Sequence, residues 1–297
     1  NLGGDVVSRG GGVRRVITRG GDANGDVRAS ETVGPVLAVG SSIGGGTTSG
    51  ANIRSLVATG GGIGARVDTV GRLGVMRALG GAINTPGIDA AEAGPLIAIN
   101  GAISGGPINI EGNAAVVQAI GGNVSAELNV GGRLRVVQAI GRGTGGEING
   151  TITVGDGLGT VVTTADLCSN LSVTGNLGRV VVRGNLDGSD LQVHGGGLRA
   201  VTVIGETANS SIAAEDGSLG TLVSLGNMHN TNVDAGSLGR VIVRGRITRD
   251  EGQDCEICSH GGRFFAMDQD WRGWISEGSD HWFGGVDPNG VHAWVTA

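Results

Sequence analysis

One short stretch carries oxygen side chains at a spacing that could bind a metal ion. Gly21–Glu31 contains Asp22, Asn24 and Asp26, which stand where a calcium loop places its first three oxygen ligands. The twelfth position of such a loop would be Val33, where a bidentate acid belongs. Asp and Asn are also common in turns, so a plain turn is the favoured interpretation and calcium the alternative.

A second stretch, "CEICSH", brings together two thiols and an imidazole. Cys255, Cys258 and His260 are half of a possible zinc site, and His281 and His292 could supply further ligands. Cys255 and Cys258 could equally form a local disulfide or remain thiols, and the second Cys-x-x-Cys of a typical zinc site is missing. The disulfide candidate, zinc and neither all stay open at this point.

Neighbouring acids are the third possibility, because sugar-cleaving enzymes use paired carboxylates together with aromatic rings that stack on the substrate. Asp187 with Asp190, and Glu215 with Asp216, are isolated pairs, and the first 263 residues contain no aromatic ring. Solvated surface charge explains these acids better than catalysis does. We therefore expect a protein that is not an enzyme and that needs no cofactor.

The composition indicates how these stretches are positioned. The chain has 62 glycines among 297 residues and no tyrosine, and its seven aromatic residues all lie between Phe264 and Trp294. An interior without rings must be narrow and regular enough to be filled by small aliphatic side chains. This composition favours a repeat.

The repeat is clearest where "LGRVVVRGNL" at 177–186 returns as "LGRVIVRGRI" at 238–247. The glycine that closes the motif, here called the turn position, recurs every 19 to 24 residues. Its occurrences are Gly20, Gly40, Gly60, Gly80, Gly101, Gly121, Gly141, Ala165, Gly184, Gly205, Gly226 and Gly245.

Apolar residues keep fixed distances from the turn position, as in strands with one buried face. Four residues before it come Val16, Val36, Leu56, Met76, Ile97, Val117, Val137, Val161, Val180, Val201, Leu222 and Val241. Small or β-branched residues, Ile99 among them, lie two before it. A second inward position follows the turn, as at Ile43, and a third comes later, as at Val27, Val67 and Ile148.

Three inward-facing segments per 20 residues, separated by Gly, Asn, Asp and Ser, predict a chain wound into a three-sided coil. We therefore predict an all-β fold: a parallel β-helix, or β-solenoid, of about 12 rungs, right-handed, with a C-terminal aromatic-rich cap. Residues 1–250 would form the shaft and residues 251–297 the cap. Val16, Val180, Val201 and Val241 would stack in its core.

The "LGxVxVxG" rungs resemble those of glycine-rich parallel β-helix proteins of bacterial surfaces, secreted adhesins and phage fibres. This resemblance covers residues 1 to about 250 and implies an extracellular or cell-surface location. Asn123, Asn149, Asn170 and Asn209 are glycosylation sequons in turn regions, at a frequency close to chance. The chain opens without an initiator methionine or signal peptide, so we expect a processed or excerpted chain.

The two ends of the chain differ in charge. Residues 250–297 hold nine acids and two Arg, whereas residues 1–28 hold five Arg and three Asp. The first twelve residues already resemble part of a rung without a lid, so we predict head-to-tail assembly into a filament of copies of this chain. The predicted assembly interface comprises Phe265, Trp271, Trp274, Trp282 and Trp294 at one end and Arg14, Arg15 and Arg19 at the other.

The main alternative is a surface adhesin or phage-fibre-like module whose aromatic tail contacts glycans. A polysaccharide lyase or hydrolase is a third and weaker alternative. No basic stripe suited to nucleic acid occurs in the sequence. No apolar run approaches the roughly 20 residues that span a bilayer, so we expect no membrane span.

Overall fold

The computed structural model describes residues 2–143 and 145–248 and five short strands beyond residue 250, namely 257–259, 265–267, 274–275, 282–283 and 293–295. The chain divides into two compact units, Asn1–Val154 and Gly155–Ala297. Each unit is a parallel β-solenoid, and the described residues contain no helix. The predicted fold class is thereby confirmed, with about 12 turns in all. The right-handed winding stays a prediction.

The first unit contains seven windings whose strands pair in parallel with the equivalent strands one winding on. Strands β1 to β16 are Val6–Ser8, Val16–Arg19, Val27–Ala29, Thr32–Val39, Thr47–Gly50, Asn52–Ala58, Arg66–Ala78, Ile83–Thr85, Ile88–Ala93, Leu96–Ile99, Ile103–Gly105, Ile108–Ile110, Ala114–Ile120, Leu128–Val130, Arg133–Ile140 and Ile152–Val154.

Each winding of the first unit has three sides. Face A is made of the segments 16–19, 35–39, 55–58, 75–78, 95–99, 116–120 and 136–140. Face B is made of β8, β11 and single bridges such as Ala23 to Ile43 and Val124 to Ile148. Face C is made of β1, β3, β5, the start of β7, β9, β12, β14 and β16.

The second unit repeats this arrangement through five windings and continues past residue 250. Strands β17 to β32 are Gly157–Thr163, Asn170–Thr174, Asn176–Val182, Leu186–Asp187, Asp190–His194, Leu198–Val203, Thr207–Ala208, Ser211–Ser224, Met228–His229, Asn232–Val243, Ile247–Thr248, Ile257–Ser259, Phe265–Met267, Trp274–Ile275, Trp282–Phe283 and Ala293–Val295. β28 and β29 still pair in parallel with β26. The predicted boundary at residue 250 stays a prediction.

The interior consists of vertical columns of small aliphatic side chains, as the sequence predicts. In the second unit Val180 pairs with Val201, which pairs with Leu222, which pairs with Val241. All four side chains are fully buried. Among the described residues the largest fully buried side chains are Leu, Ile and Met, so stacking alone fills the core without rings.

The glycine of the "LG" pair is required by a close approach between windings. It follows the inward leucine at a corner, where the backbone of one winding comes very near the next. A Cβ on Gly178 would collide with the carbonyl oxygen of Gly159, and a Cβ on Gly239 would collide with that of Gly220. Only glycine lets the chain turn this corner at normal strand spacing in these windings.

One winding of face A differs by one residue from the sequence prediction. Leu96 and Ala98 are buried and pair with Met76 and Ala78, whereas the predicted inward residues Ile97 and Ile99 face outward. The physical reason is Asn100, which takes the left-handed turn conformation with φ 64°, as Gly20 and Gly40 do in their windings. The turn position is therefore Asn100 and not Gly101, and the shift by one residue exchanges inside for outside.

The inward columns also contain members that sequence spacing misplaced or missed. Ile148 bridges Val124 and belongs to face B, while Ile152 pairs with Leu128 and takes the place predicted for Ile148 on face C. The loop before Ile148 is longer than elsewhere, so the count from the turn position fails there. Thr48 and Thr207 occupy inward positions as buried hydroxyl residues, which an apolar pattern does not reveal.

Candidate assembly surfaces

The first winding is the least covered part of the first unit's core. β1 pairs only with β3 and β2 only with β4 among the described residues. Val16 and Thr18 accordingly keep 7% and 8% of their surface exposed, whereas Val36 and Ala38, one winding on, keep 1% and 0%. Within the described chain, one edge of this winding therefore has neither strand partners nor a covering layer.

The direction of the backbone donors at this edge follows from the later windings. In face A, Thr59 donates its N–H to the carbonyl of Ala38 at 2.9 Å, and Leu79 donates to Ala58 at 2.8 Å. Each bond runs back to the winding before. Arg19 is in register with Val39 and occupies the same position in the first winding, so its N–H points away from the second winding.

Thr18 carries a further unsatisfied group at the same edge. Its Oγ1 is buried and has no hydrogen-bond partner. The hydroxyls at the equivalent position of two other windings do have partners, because Thr163 Oγ1 donates to the carbonyl of Ala165 at 3.2 Å and Ser224 Oγ to that of Gly226 at 3.4 Å. Thr18 Oγ1 is thus a buried hydroxyl without a partner among the described residues, whereas the two equivalent hydroxyls find theirs within their own windings.

The three arginines predicted for this end are all exposed on the surface of the first winding. Arg14 and Arg15 lie at the corner before β2, and Arg19 ends that strand. They flank the buried Val16 and Thr18. The structure therefore places the predicted basic residues beside the open strand edge.

Four of the predicted aromatic residues, Phe265, Trp274, Trp282 and Trp294, lie on the short strands β29 to β32. β29 pairs with β26 on one side and, antiparallel, with β30 on the other, so that Phe265 lies opposite Ile275 and Trp274 opposite Ala266. β32 pairs with β28 and with β31, which sets Trp294 opposite Trp282. Trp271 lies outside the described residues.

On two faces, these strands lie along the edge of β26 that β24 does not occupy. β28 lies between β26 and β32, and β29 lies between β26 and β30. Among the described strands, β27, β30 and β31 therefore offer a further edge at this end. The backbones of Phe265 and Trp274 thus lie in one small strand pair and those of Trp282 and Trp294 in another, and their role as a cap stays a prediction.

The candidate calcium ligands are committed to backbone hydrogen bonds. Asp22 Oδ1 accepts the N–H of Ser42 at 2.9 Å, and Asp26 Oδ1 accepts the N–H of Thr47 at 2.6 Å. Asn and Asp side chains hold consecutive windings together in this way at other corners, as when Asn185 Oδ1 accepts the N–H of Glu206 at 2.9 Å. The described part of the chain contains no group of three His, Cys, Asp or Glu side chains that could hold a metal ion.

The thiol and imidazole candidates are only partly within the described residues. Cys258 lies on β28, where its backbone pairs with Asp234 on one side and Trp294 on the other. Cys255, His260, His281 and His292 lie outside the described residues. The disulfide between Cys255 and Cys258 and the zinc site therefore stay predictions.

Sequence reasoning missed the outer surface of face A in the first unit. Its outward positions form three columns, and 14 of the 21 side chains are aliphatic or proline while none is acidic. The middle column contains Ile17, Leu37, Val57, Arg77, Ile97, Gln118 and Gln138. The column beside it contains Arg19, Val39, Thr59, Leu79, Ile99, Ile120 and Ile140. The third contains Arg15, Pro35, Ser55, Val75, Pro95, Val116 and Val136.

The signal for this surface was present in the sequence. The residues between the buried positions of face A are apolar far more often than those of a solvated strand, which alternate apolar with polar. The repeated inward positions predict the core of face A but give no prediction for its outer surface.

No helix in the described part of the chain has the length and apolar character to cross a bilayer. Comparisons with protein families, with curated proteins and with solved structures gave no significant match to this chain.

Proposed function

We propose that this protein is a structural subunit of an extracellular or cell-surface filament, which lengthens by stacking the end of one solenoid on the end of another. Its role is mechanical and not enzymatic, and its partner is a further copy of the same chain. The observation that carries the proposal is the first winding, which pairs on one side only within the described residues and whose buried Val16 and Thr18 keep 7% and 8% of their surface exposed.

The similarity of successive windings supports this function. On face A the windings of the first unit pair with aliphatic residues opposite one another, as where Ala38 lies opposite Ala58, Leu56 opposite Met76 and Val117 opposite Val137. An edge that matches the next winding of its own chain also has the hydrogen-bond spacing to match a winding of another chain. A heterologous contact of this kind does not close on itself, so it extends indefinitely.

Charge supports the same direction of assembly. Exposed Arg14, Arg15 and Arg19 lie at the first winding, and residues 250–297 carry nine acids against two arginines. Opposite charges steer the encounter of two such ends, and burial of the aliphatic edge holds them together. The resemblance to β-helix proteins of bacterial surfaces supports the proposed location.

The test is electron microscopy and sedimentation velocity of the purified full chain and two variants. Arg19→Pro removes the N–H that points away from the second winding and blocks strand addition at this edge. Arg19→Ala keeps that N–H and removes the charge alone. We expect filaments from the wild-type chain, none from Arg19→Pro, and slower lengthening of the same filaments from Arg19→Ala.

The variants must also retain the β-sheet circular dichroism of the wild-type chain. Filaments from Arg19→Pro as abundant as from the wild-type chain would contradict strand stacking at this edge. Discrete particles from the wild-type chain, together with binding to a glycan array, would favour the adhesin alternative.

A further inference from the structure

The outer surface of face A in the first unit is a parallel sheet whose second side has no partner in the described chain. Its inner side packs in the core, where Val36, Leu56 and Met76 are buried. Its outer side presents aliphatic residues or proline at two thirds of the outward positions, and Ile17 and Val39 are each 37% exposed. A sheet buried on both sides reads as a continuous apolar run, and this is how face A reads.

The size of this surface is in the range that a weak pair of proteins needs. Seven strands about 4.8 Å apart and three outward positions per strand give a surface of about 34 by 16 Å, or roughly 550 Å². Two such surfaces in contact would bury roughly 1,100 Å², just above the roughly 1,000 Å² expected of a specific interface. Single exposed apolar residues need no explanation, whereas an apolar patch of several hundred Å² is the largest that a typical monomer exposes and is often an interaction site.

The chemistry of the surface selects its partner. It contains no aromatic ring and no acid, and its bulk consists of Val, Ile, Leu and Pro. Glycan sites use aromatic platforms, which this surface lacks. Aliphatic sheet faces pack on one another by interdigitation about 10 Å apart, so the surface is complementary to its own copy.

We propose that two copies of this chain associate side by side through the outer surface of face A, as a two-fold pair of packed sheets. This contact is separate from the end-to-end stacking proposed above and does not depend on it. Polar side chains surround the patch, including exposed Arg54 and Arg133 at one corner and Asn100 at the other. Such a rim limits the contact to the patch itself.

Substitution of Arg77 should strengthen the dimer, and a misfolded variant would not show stronger association. Arg77 is an exposed residue in the middle column, between Val57 and Ile97. A two-fold axis through the middle of the surface brings the two Arg77 side chains near each other, which weakens the pair. Arg77→Leu should therefore tighten the association, by about tenfold.

The experiment measures the dimer dissociation constant of the full chain by sedimentation equilibrium between 1 and about 100 μM, a range suited to a contact of this area. Val57→Lys with Ile97→Lys places two charges in the patch and should weaken the dimer at least ~100-fold. Ser49→Lys with Thr153→Lys is the matched control, because it adds the same two charges at outward positions of face C. The control pair should leave the dissociation constant within about threefold of the wild-type value.

The same measurements in the Arg19→Pro background separate side-by-side association from lengthening. An Arg19→Pro chain without further substitutions that stays monomeric at 100 μM would overturn the proposal. So would equal weakening by the face A and face C pairs, or an Arg77→Leu variant that dissociates more readily than the wild type. Absence of filaments from the wild-type chain, with the dimer intact in the Arg19→Pro background, would count against the proposed function alone.

Discussion

Face A and face C of the first unit are built in the same way on the inside and differ on the outside. Both bury aliphatic columns, such as Leu56 on face A and Ile88 on face C, with no exposed surface. Outside, face C presents a polar ladder in which Asn109 Nδ2 donates to Asp89 Oδ1 at 2.9 Å and Asn129 Nδ2 donates to Asn109 Oδ1 at 3.0 Å. The equivalent positions of face A are mainly Ile, Leu and Val.

The difference separates two kinds of information that the strands carry. The inward residues specify that the chain winds and in which register, because a slip by one residue would expose them. The outward residues are free of that constraint and specify what the surface meets: water on face C, and another apolar surface on face A. Changes inside should therefore affect the two faces alike, whereas changes outside should affect them differently.

Truncation of the shared interior should have the largest effect and should not distinguish the faces. Leu56→Ala and Ile88→Ala each remove a fully buried side chain and leave a cavity, so each should lower the free energy of unfolding by about 3 kcal/mol. Urea unfolding followed by circular dichroism measures both. A face A variant that costs far less than its face C counterpart would show that the two interiors are not equivalent.

The corner that ends face A should give the next effect. Asn100 has a positive φ, and a β-branched residue is strained there, so Asn100→Val should cost about 1 to 2 kcal/mol. Asn100→Gly relieves the strain and should leave stability within about 0.5 kcal/mol of the wild-type value. Urea unfolding followed by circular dichroism measures both variants. Equal stability of the two would indicate that Gly101 occupies the turn position and that Ile97 lies in the core.

The outer ladder of face C should give the smallest effect. Asn109→Ala removes one bond to Asp89 and one to Asn129, both partly exposed to water, and should cost about 1 kcal/mol. Ser49→Ala is the matched control on the same face, since no side-chain hydrogen bond of Ser49 occurs in the described chain, and should be neutral. Neither should alter the dimer dissociation constant, which is a property of face A. A loss of association in Asn109→Ala would break the assignment of separate roles to the two faces.

The sequence was sufficient for the architecture because the repeat is regular and its interior is chemically uniform. Val180, Val201, Leu222 and Val241 stack as their spacing predicts. The prediction failed where a residue other than glycine adopts a positive φ, as Asn100 does. There the choice between two adjacent turn positions depends on backbone conformation. It also failed at Ile148, where a longer turn interrupts the count.

The candidate surfaces were predictable in part. The arginines of the first winding were identified from charge and position, and they lie beside the open edge. The aliphatic outer surface of face A was not identified, because a strand with both sides apolar gives no alternation and the inward columns alone explain the period. The association of Cys255 with Cys258 depends on geometry that sequence spacing does not determine.

The hydrogen bonds between windings have a consequence for how the chain acquires its structure. Ile63 donates its N–H to Ala82, and Gly64 donates to Ile43, so partners lie about 20 residues apart wherever the pair falls in the chain. A separation of roughly 20 in 297 residues gives a relative contact order near 0.07, at the low end of the range for helical bundles and well below that of β-sandwiches. Each winding can therefore be laid on the last as it leaves the ribosome, without waiting for distant sequence.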